Sequence, residues 1–194
     1  MKLILLVYCF GSLGTPLGAQ PIPIDEISGP DNSISDSMYE VTTRYPVGWV
    51  IRGAARWGDH GNRATTIFFG APDSAEASPN LYYRKFHAPM LIFSGGAESW
   101  LRDEARRKVE QRVTKEGIAD YKNRPESFVL REVGGHAALS WSADYTRSGD
   151  RWVEYLTAVL SENGLALFFL QAPADQIKLV VPKYEQMIIA LRMP

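Results

Sequence analysis

The segment 128–171, FVLREVGGHAALSWSADYTRSGDRWVEYLTAVLSENGLALFFLQ, decides the fold class of this chain. It contains four runs rich in apolar, aromatic and β-branched residues, a composition typical of strands. The runs are separated by Gly134-Gly135, Ser148-Gly149-Asp150 and Glu162-Asn163-Gly164, and Asn-Gly between such runs is a strong hairpin signal. The segment therefore predicts three consecutive hairpins, and its third run, 152–160, predicts a central strand because both of its faces are apolar.

Strands are also predicted upstream of this meander. Residues 39–45 alternate between apolar or aromatic and polar side chains, and Pro46-Val47-Gly48 then turns the chain. Further strand-like runs at 49–57, 63–69 and 80–86 are separated by segments rich in Gly, Pro, Ser and Asn. Four strands are therefore expected before the first helix.

Two helices are predicted from the spacing of apolar side chains. The first, 97–116, has a narrow apolar stripe and mixed charges elsewhere, which favours a solvated surface helix over a basic recognition helix. The second, 177–191, has a broader stripe, which favours a core helix over a partner-binding face, and Pro182 is expected to begin or kink it. Strands and helices in this order predict an α+β domain with helices packed on a twisted antiparallel sheet.

The chain opens with the features of a secretory signal peptide. Lys2 precedes the apolar run 3–10, and Gly and Pro residues then lead to Ala19, after which cleavage is expected. A membrane anchor is the alternative, but the apolar run is far shorter than the roughly 20 residues that span a bilayer. Cleavage would remove Cys9, the sole cysteine, so no disulfide, cysteine nucleophile or lipid-anchoring cysteine is expected in the mature protein.

The remaining residues divide into a flexible acidic linker, 20–37, and a single domain, 38–194. The linker prediction follows from its prolines, its Ser and Asn residues, and four acids without a base. A hydrophobic content of 45% excludes a disordered chain, and a net charge of −1 argues against the strongly basic kind of nucleic-acid binder.

A resemblance to PsbP-like domains is carried by the start of the predicted domain, Tyr39-x-Val41-x-x-x-Tyr45-Pro46-x-Gly48-Trp49. The order of the later features is also similar: a break, a charged helix, Gly134-Gly135-x-Ala137 before a long meander, the Asn163-Gly164 hairpin and a terminal helix. The likeness covers residues 38–192. The matched residues set turns and core positions, and none of them is a functional residue of the superfamily.

This resemblance implies a three-layer α/β/α sandwich with a central antiparallel sheet of about seven strands. It also implies a non-catalytic accessory or binding module. No plant transit peptide is present, and Ran binding does not suit an exported chain, so neither role is carried over from PsbP or from the nuclear-import factor of the same fold. The expectation is a bacterial exported protein, periplasmic or secreted and similar to DcrB-like proteins, that recognises an envelope or secreted protein or a surface ligand.

No catalytic motif or cofactor-binding motif is recognisable in the sequence, so no catalytic residue, cofactor or metal is predicted. The three histidines, His60, His87 and His136, lie far apart near predicted turns or strand ends. The alternative function is a small exported hydrolase or metal-dependent enzyme. It would require the fold to bring His87 or His136 close to Asp144 or Glu132.

A partner-binding surface is predicted around five residues, because Trp, Tyr and Arg anchor many interfaces. They are Arg52, Arg56, Trp57, Tyr83 and Arg84. Packing of these side chains within the domain is the alternative interpretation.

Overall fold

A computed structural model describes residues 19–57, 64–72, 74, 76–85, 96–115, 118 and 120–194. The predicted signal peptide therefore lies outside the described residues except for Ala19, and so do His60 and His87. Two α-helices and twelve strands are formed by the described residues. They are β1 Gln20–Pro21, β2 Ser28–Gly29, β3 Ser33–Asp36, β4 Val41–Arg44, β5 Val50–Trp57, β6 Ala64–Gly70, β7 Ser78–Lys85, α1 Gly96–Glu110, β8 Lys122–Asn123, β9 Val129–Val133, β10 His136–Arg147, β11 Asp150–Leu160, β12 Gly164–Pro173 and α2 Ile177–Ile189.

Nine of these strands form one antiparallel sheet in the order β1-β5-β6-β7-β12-β11-β10-β8, with β9 also paired to β10. Residues 128–171 form the predicted meander, since β9 through β12 each pair with the next strand, and β11 lies between β10 and β12. The α+β class is thus confirmed. The sheet has nine strands rather than about seven because β1 and β8 are two residues long, too short for an alternating pattern.

A second antiparallel sheet contains β2, β3 and β4. The predicted first strand, 39–45, belongs to this small sheet, where Asp36 pairs with Val41 and Ser33 with Arg44. The C-terminal tail joins it, because Thr42 and Arg192 exchange backbone hydrogen bonds of 2.9 and 2.8 Å. The small sheet therefore joins the C-terminal tail to the N-terminal segment 28–44.

Two hydrophobic cores lie on opposite faces of the large sheet, as the alternation of strand residues requires. One core joins strand residues such as Ile67, Leu81 and Phe168 to Tyr184 and Met187 of α2. The other core joins Leu139, Trp141 and Leu156 to Leu101 and Ala105 of α1. Full burial of each large aliphatic or aromatic side chain contributes about 1.5–3 kcal/mol, so both helices are held mainly by apolar packing.

The prediction of a flexible linker over residues 20–37 is wrong. Ile22, Ile27 and Ile34 are 6%, 1% and 0% exposed and belong to the same core as α2. Residues 20–21 pair with β5, and β2 and β3 belong to the small sheet. The three isoleucines stand singly among Pro, Ser and Asp, so their burial depends on tertiary contacts and leaves no periodic pattern in the sequence.

Both predicted helices are present with changed ends. The α-helical geometry of α1 ends at Glu110, and Gln111–Lys115 continue as a π-helical turn. Pro182 lies inside α2 and does not begin it, since the helix starts at Ile177. Neither helix within the described part of the chain is long and apolar enough to cross a membrane.

Candidate interaction surface

The five residues predicted to form a partner surface do not share one face of the sheet. The register pairs Thr65 with Tyr83 and Ala64 with Arg84, so Tyr83 and Arg84 point to opposite faces. Tyr83 is 1% exposed, and its assignment to an exposed surface is wrong. Asp36, from the predicted linker, and Tyr39 contact it.

The two remaining arginines also differ. Arg52 is exposed and is the extra residue of a β-bulge, since the pairing of β5 with β6 shifts between Ile51 and Gly53. Arg56 is three-quarters buried and binds Asp36. The side chain of Trp57 lies outside the described residues. A surface that includes Arg52, Trp57 and Arg84 stays a prediction.

Arg56 and Tyr83 meet instead in a cluster centred on Asp36. The Arg56 Nη2 donates to Asp36 Oδ2 at 3.0 Å, the Tyr83 hydroxyl donates to the same oxygen at 2.7 Å, and the Met38 amide donates to Oδ1 at 3.0 Å. The ring of Tyr39 packs edge-on against Tyr83 at 5.3 Å. Burial and the adjacent Asp36 carboxylate raise the pKa of Tyr83 well above its usual range, which keeps its hydroxyl protonated as a donor. This cluster fastens the N-terminal segment to the large sheet.

A second cluster joins α2 to strand β9. Arg131 donates to Glu185 Oε2 at 2.6 Å and Oε1 at 3.3 Å, and its Nη2 also donates to Thr157 Oγ1 at 3.1 Å. The Tyr155 hydroxyl donates to Glu185, and burial together with this hydrogen bond raises the pKa of Tyr155. Thr157 and Ser140 share a hydrogen bond of 2.7 Å beneath the pair. The cluster therefore fixes the position of β9 relative to α2 and β11.

Strand β9 lies at the edge of the large sheet. It pairs with β10 on one side, where Val133 is opposite His136 and Val129 opposite Ser140. Among the described residues no strand pairs with its other side. Val129 is 50% exposed and Leu130 is 37% exposed, on opposite faces of the strand. Edge strands carry unpaired backbone donors and acceptors, so β9 combines such groups with accessible apolar side chains.

A third cluster is almost wholly buried at the end of α1. The π-helical turn brings Arg112 over the ring of Phe169 at 4.7 Å and places its Nη2 2.6 Å from Glu154 Oε2. The hydroxyl of Tyr121 donates to Glu154 Oε1 at 2.9 Å, and Gln171 Nε2 donates to Oε2 at 3.2 Å. Glu154 is 1% exposed and Arg112 is 5% exposed, so neither charge is accessible to a ligand. The prediction of a solvated charged helix is therefore wrong for Arg112.

His136 does not lie beside either carboxylate that the enzyme hypothesis required. His136 and Asp144 are eight residues apart on β10, which corresponds to about 26 Å in an extended strand. Glu132 pairs with Ala137, whereas His136 pairs with Val133, so Glu132 and His136 point to opposite faces. The ring nitrogen Nε2 of His136 instead lies 2.9 Å from the Met193 carbonyl oxygen. The described residues include no group of three His, Cys, Asp or Glu residues that could hold a metal ion.

Comparison with solved structures identifies the architecture. PsbP from the cyanobacterium Synechocystis superposes on this chain with a TM-score of 0.60 at 12% identity, and the match covers 86% of this chain and 95% of PsbP. The chain has a PsbP-like fold. At 12% identity, PsbP-like describes the architecture of this protein and not a shared activity.

Two further matches are more distant. LpqN of Mycobacterium tuberculosis, described as involved in cell envelope biogenesis, matches at 9% identity and a TM-score of 0.44, with 91% of each chain covered. A protein of Bacteroides thetaiotaomicron matches at 14% identity and a TM-score of 0.49, over 79% of this chain and 45% of its own length. These two likenesses are too distant to support an argument about function. No family model matches the sequence, and no curated protein matches it.

Sequence reasoning missed the edge strand as a candidate site, although the strand itself was predicted. The sequence 128–133 does indicate an accessible apolar side chain, because Val129 and Leu130 are adjacent and a strand with one buried face should expose one of them. What the sequence does not give is the neighbour of this strand. The pairing of Arg131 with Glu185 joins residues that are 54 positions apart, so no local pattern predicts it.

Proposed function

We propose that this protein is an exported, non-catalytic binding protein that takes up an extended segment of an envelope or secreted protein at the outer edge of β9. The observation that carries the proposal is this edge, on which Val129 and Leu130 are accessible and which no strand pairs among the described residues. A peptide can add to such an edge as a new strand, with main-chain hydrogen bonds giving affinity and side-chain contacts giving specificity.

The size of the edge sets the size of the expected segment. Five residues, Val129–Val133, span about 17 Å, enough to pair with a peptide of similar length. Val129 and Leu130 would contact the side chains of two consecutive peptide residues, one on each face of the sheet. The partner is therefore expected to contribute a short extended segment with apolar residues at adjacent positions.

The Arg131–Glu185 cluster supports this role by fixing the edge before binding. Arg131 lies between the accessible Val129 and the buried Val133 on the same face of β9, and its guanidinium is held by Glu185 and Thr157. A strand whose position is already fixed loses little conformational freedom on binding, which favours affinity. The cluster thus serves the binding edge without contacting the partner.

Export is part of the proposal and rests on the signal-peptide pattern of residues 1–19. The three-layer α/β/α arrangement is also proposed, since α1 and α2 contribute to cores on opposite faces of the sheet. Helices on both faces leave the edges of the sheet as the backbone that a partner can reach. An enzymatic role is not proposed, because no observation on the described residues favours one.

Site-specific crosslinking tests the proposal. A photoreactive benzophenone amino acid is placed at position 129 and, as a matched control, at position 179 on α2, where Leu179 is also exposed. In cells that export the protein, we expect one adduct from position 129 and none from position 179. A peptide that covers the crosslinked segment of the partner is then mixed with the purified protein, and amide hydrogen exchange should slow along β9.

Variants separate binding at the edge from adventitious crosslinking. Leu130→Lys should abolish the peptide's effect on β9, and Leu179→Lys should leave it unchanged. The proposal is overturned if position 129 gives no adduct, if both positions give the same adduct, or if exchange slows outside β9 and its neighbours.

A further inference from the structure

Gln20 holds a particular place in both the sequence and the fold. It directly follows Ala19, where cleavage of the signal peptide is expected, and it is the first residue of β1. Its side chain is exposed. If cleavage occurs after Ala19, the α-amino group of the mature protein is therefore carried by a strand residue of the large sheet.

The register defines the surroundings of that nitrogen. Gln20 pairs with Arg56, and the Ile22 amide donates to the Ala54 carbonyl at 3.0 Å. Hydrogen-bonded pairs recur at every second residue in an antiparallel ladder, so the Gln20 nitrogen faces the Arg56 carbonyl. The guanidinium of Arg56 points to Asp36, which already balances its charge. A free α-ammonium would therefore add a positive charge at this edge beyond the one that Asp36 offsets.

We propose that Gln20 is a modification site, at which the mature N-terminus cyclises to pyroglutamate. This inference rests on the proposed export and on cleavage after Ala19, and it is independent of the binding edge on β9. The neutral α-amino nitrogen attacks the side-chain amide carbon of Gln20. A carbon–nitrogen bond forms to give a five-membered lactam, the bond from that carbon to Nε2 breaks, and ammonia leaves with the proton released by the amine.

The reaction suits this position for two reasons. The α-amine of a protein has a pKa of about 8, so a reactive neutral fraction is present near neutral pH without any co-reactant. The lactam retains one N–H and carries no charge, so it can still face the Arg56 carbonyl as a neutral donor. The product gives β1, a strand of only two residues at the edge of the sheet, an uncharged end.

Mass spectrometry of the protein purified from an exporting host tests the inference. We expect an N-terminal peptide that begins at residue 20 and is lighter than the encoded peptide by the mass of one ammonia. The same preparation should resist α-amine labelling near neutral pH. The matched control is Gln20→Asn, whose shorter side chain would have to close a strained four-membered ring, so it should retain its full mass and take up the label.

The results of this experiment separate the modification of Gln20 from the position of signal-peptide cleavage. A peptide that begins at residue 20 and keeps its full mass after prolonged incubation at neutral pH overturns the modification but leaves cleavage after Ala19 intact. A peptide that begins at any other residue overturns both the modification and the cleavage position. Neither result bears on crosslinking at β9, so the failure of this inference can be told apart from a failure of the proposed binding function.

Discussion

Replacing Arg112 with methionine should destabilise the protein more than the loss of any exposed charge on the same helix. The guanidinium of Arg112 lies 2.6 Å from Glu154 and stacks on Phe169 at 4.7 Å. Methionine fills a similar volume and keeps contact with the ring, so the main loss is the positive charge. Among the described residues, Glu154, 1% exposed, would then keep the hydrogen bonds from Tyr121 and Gln171.

The size of the effect follows from the burial of the remaining charge. Removing one partner of a buried ion pair costs about 3–5 kcal/mol, because the other charge is left desolvated. Domains have unfolding free energies of about 5–15 kcal/mol, so Arg112→Met should remove a third or more of the total in many cases. The double variant Arg112→Met/Glu154→Gln buries no unpaired charge, so it should regain about half or more of the unfolding free energy that Arg112→Met loses.

Urea denaturation followed by circular dichroism measures this series. With a slope of about 2 kcal/mol per molar urea, Arg112→Met should lower the midpoint by about 2 M. The control is Arg102→Met, which breaks an exposed pair with Glu98 on α1 and should cost about 0.3–0.5 kcal/mol. The reasoning is refuted if the double variant is less stable than Arg112→Met, or if both single variants have the same midpoint. If Arg112→Met does not fold, folding of the double variant measures the same recovery.

Three further predictions concern other parts of the fold. Asp36→Ala should lower the free energy of unfolding by about 3 kcal/mol, because a partly buried arginine and a buried tyrosine hydroxyl lose their carboxylate acceptor. Chemical denaturation measures this loss, and a value under about 1 kcal/mol would mean that the N-terminal segment contributes little to stability. Arg124 lowers the pKa of Asp144 through two hydrogen bonds of 2.7 Å. This pair therefore stabilises the fold fully at pH values above the pKa of an unfolded aspartate, about 4. The stabilisation is lost as the pH falls through the lower pKa that Asp144 has in the folded protein. Unfolding of Arg124→Met should accordingly differ from wild type by about 0.5–1 kcal/mol at pH 7 and converge with it in acid, whereas a difference independent of pH would contradict the assignment. Gly135→Ala should lower the free energy of unfolding by about 1–2 kcal/mol, because an alanine is strained at the positive φ of this position. Gly134→Ala should lower it by about 1–3 kcal/mol more, because its added Cβ would also lie 2.7 Å from a backbone oxygen. Equal losses for the two variants in thermal unfolding would refute the role of this contact.

The parts of the fold that the sequence predicts are those with local signals. Asn163-Gly164 and the runs on either side of it predict a hairpin without any knowledge of the rest of the chain, and β11 and β12 pair as expected. Burial on both faces of β11 follows in the same way from its composition. Strand alternation and turn chemistry act over a few residues, so sequence reasoning captures them.

The errors concern residues whose environment is made by distant parts of the chain. Ile22, Ile27 and Ile34 are buried by contacts with the sheet and α2, and the sequence around them contains only the composition of a linker. Arg112 follows other charged residues on a helix that is largely solvated, and its counter-ion Glu154 is 42 positions away. Such pairings depend on topology, which local periodicity does not encode.

The three charge clusters share one structural role, and this role explains why the arginines of this chain are poor guides to its function. Arg56 fastens the N-terminal segment to the sheet, Arg112 fastens the end of α1, and Arg131 joins the edge strand to α2. Each guanidinium pairs with a carboxylate within the domain, so its charge is already offset there. Arginine and tyrosine enrichment predicts interfaces only where these side chains reach solvent, whereas these three arginines make contacts within the domain. The edge of β9 that we propose as the binding site instead offers backbone groups and apolar side chains, which carry no sequence motif.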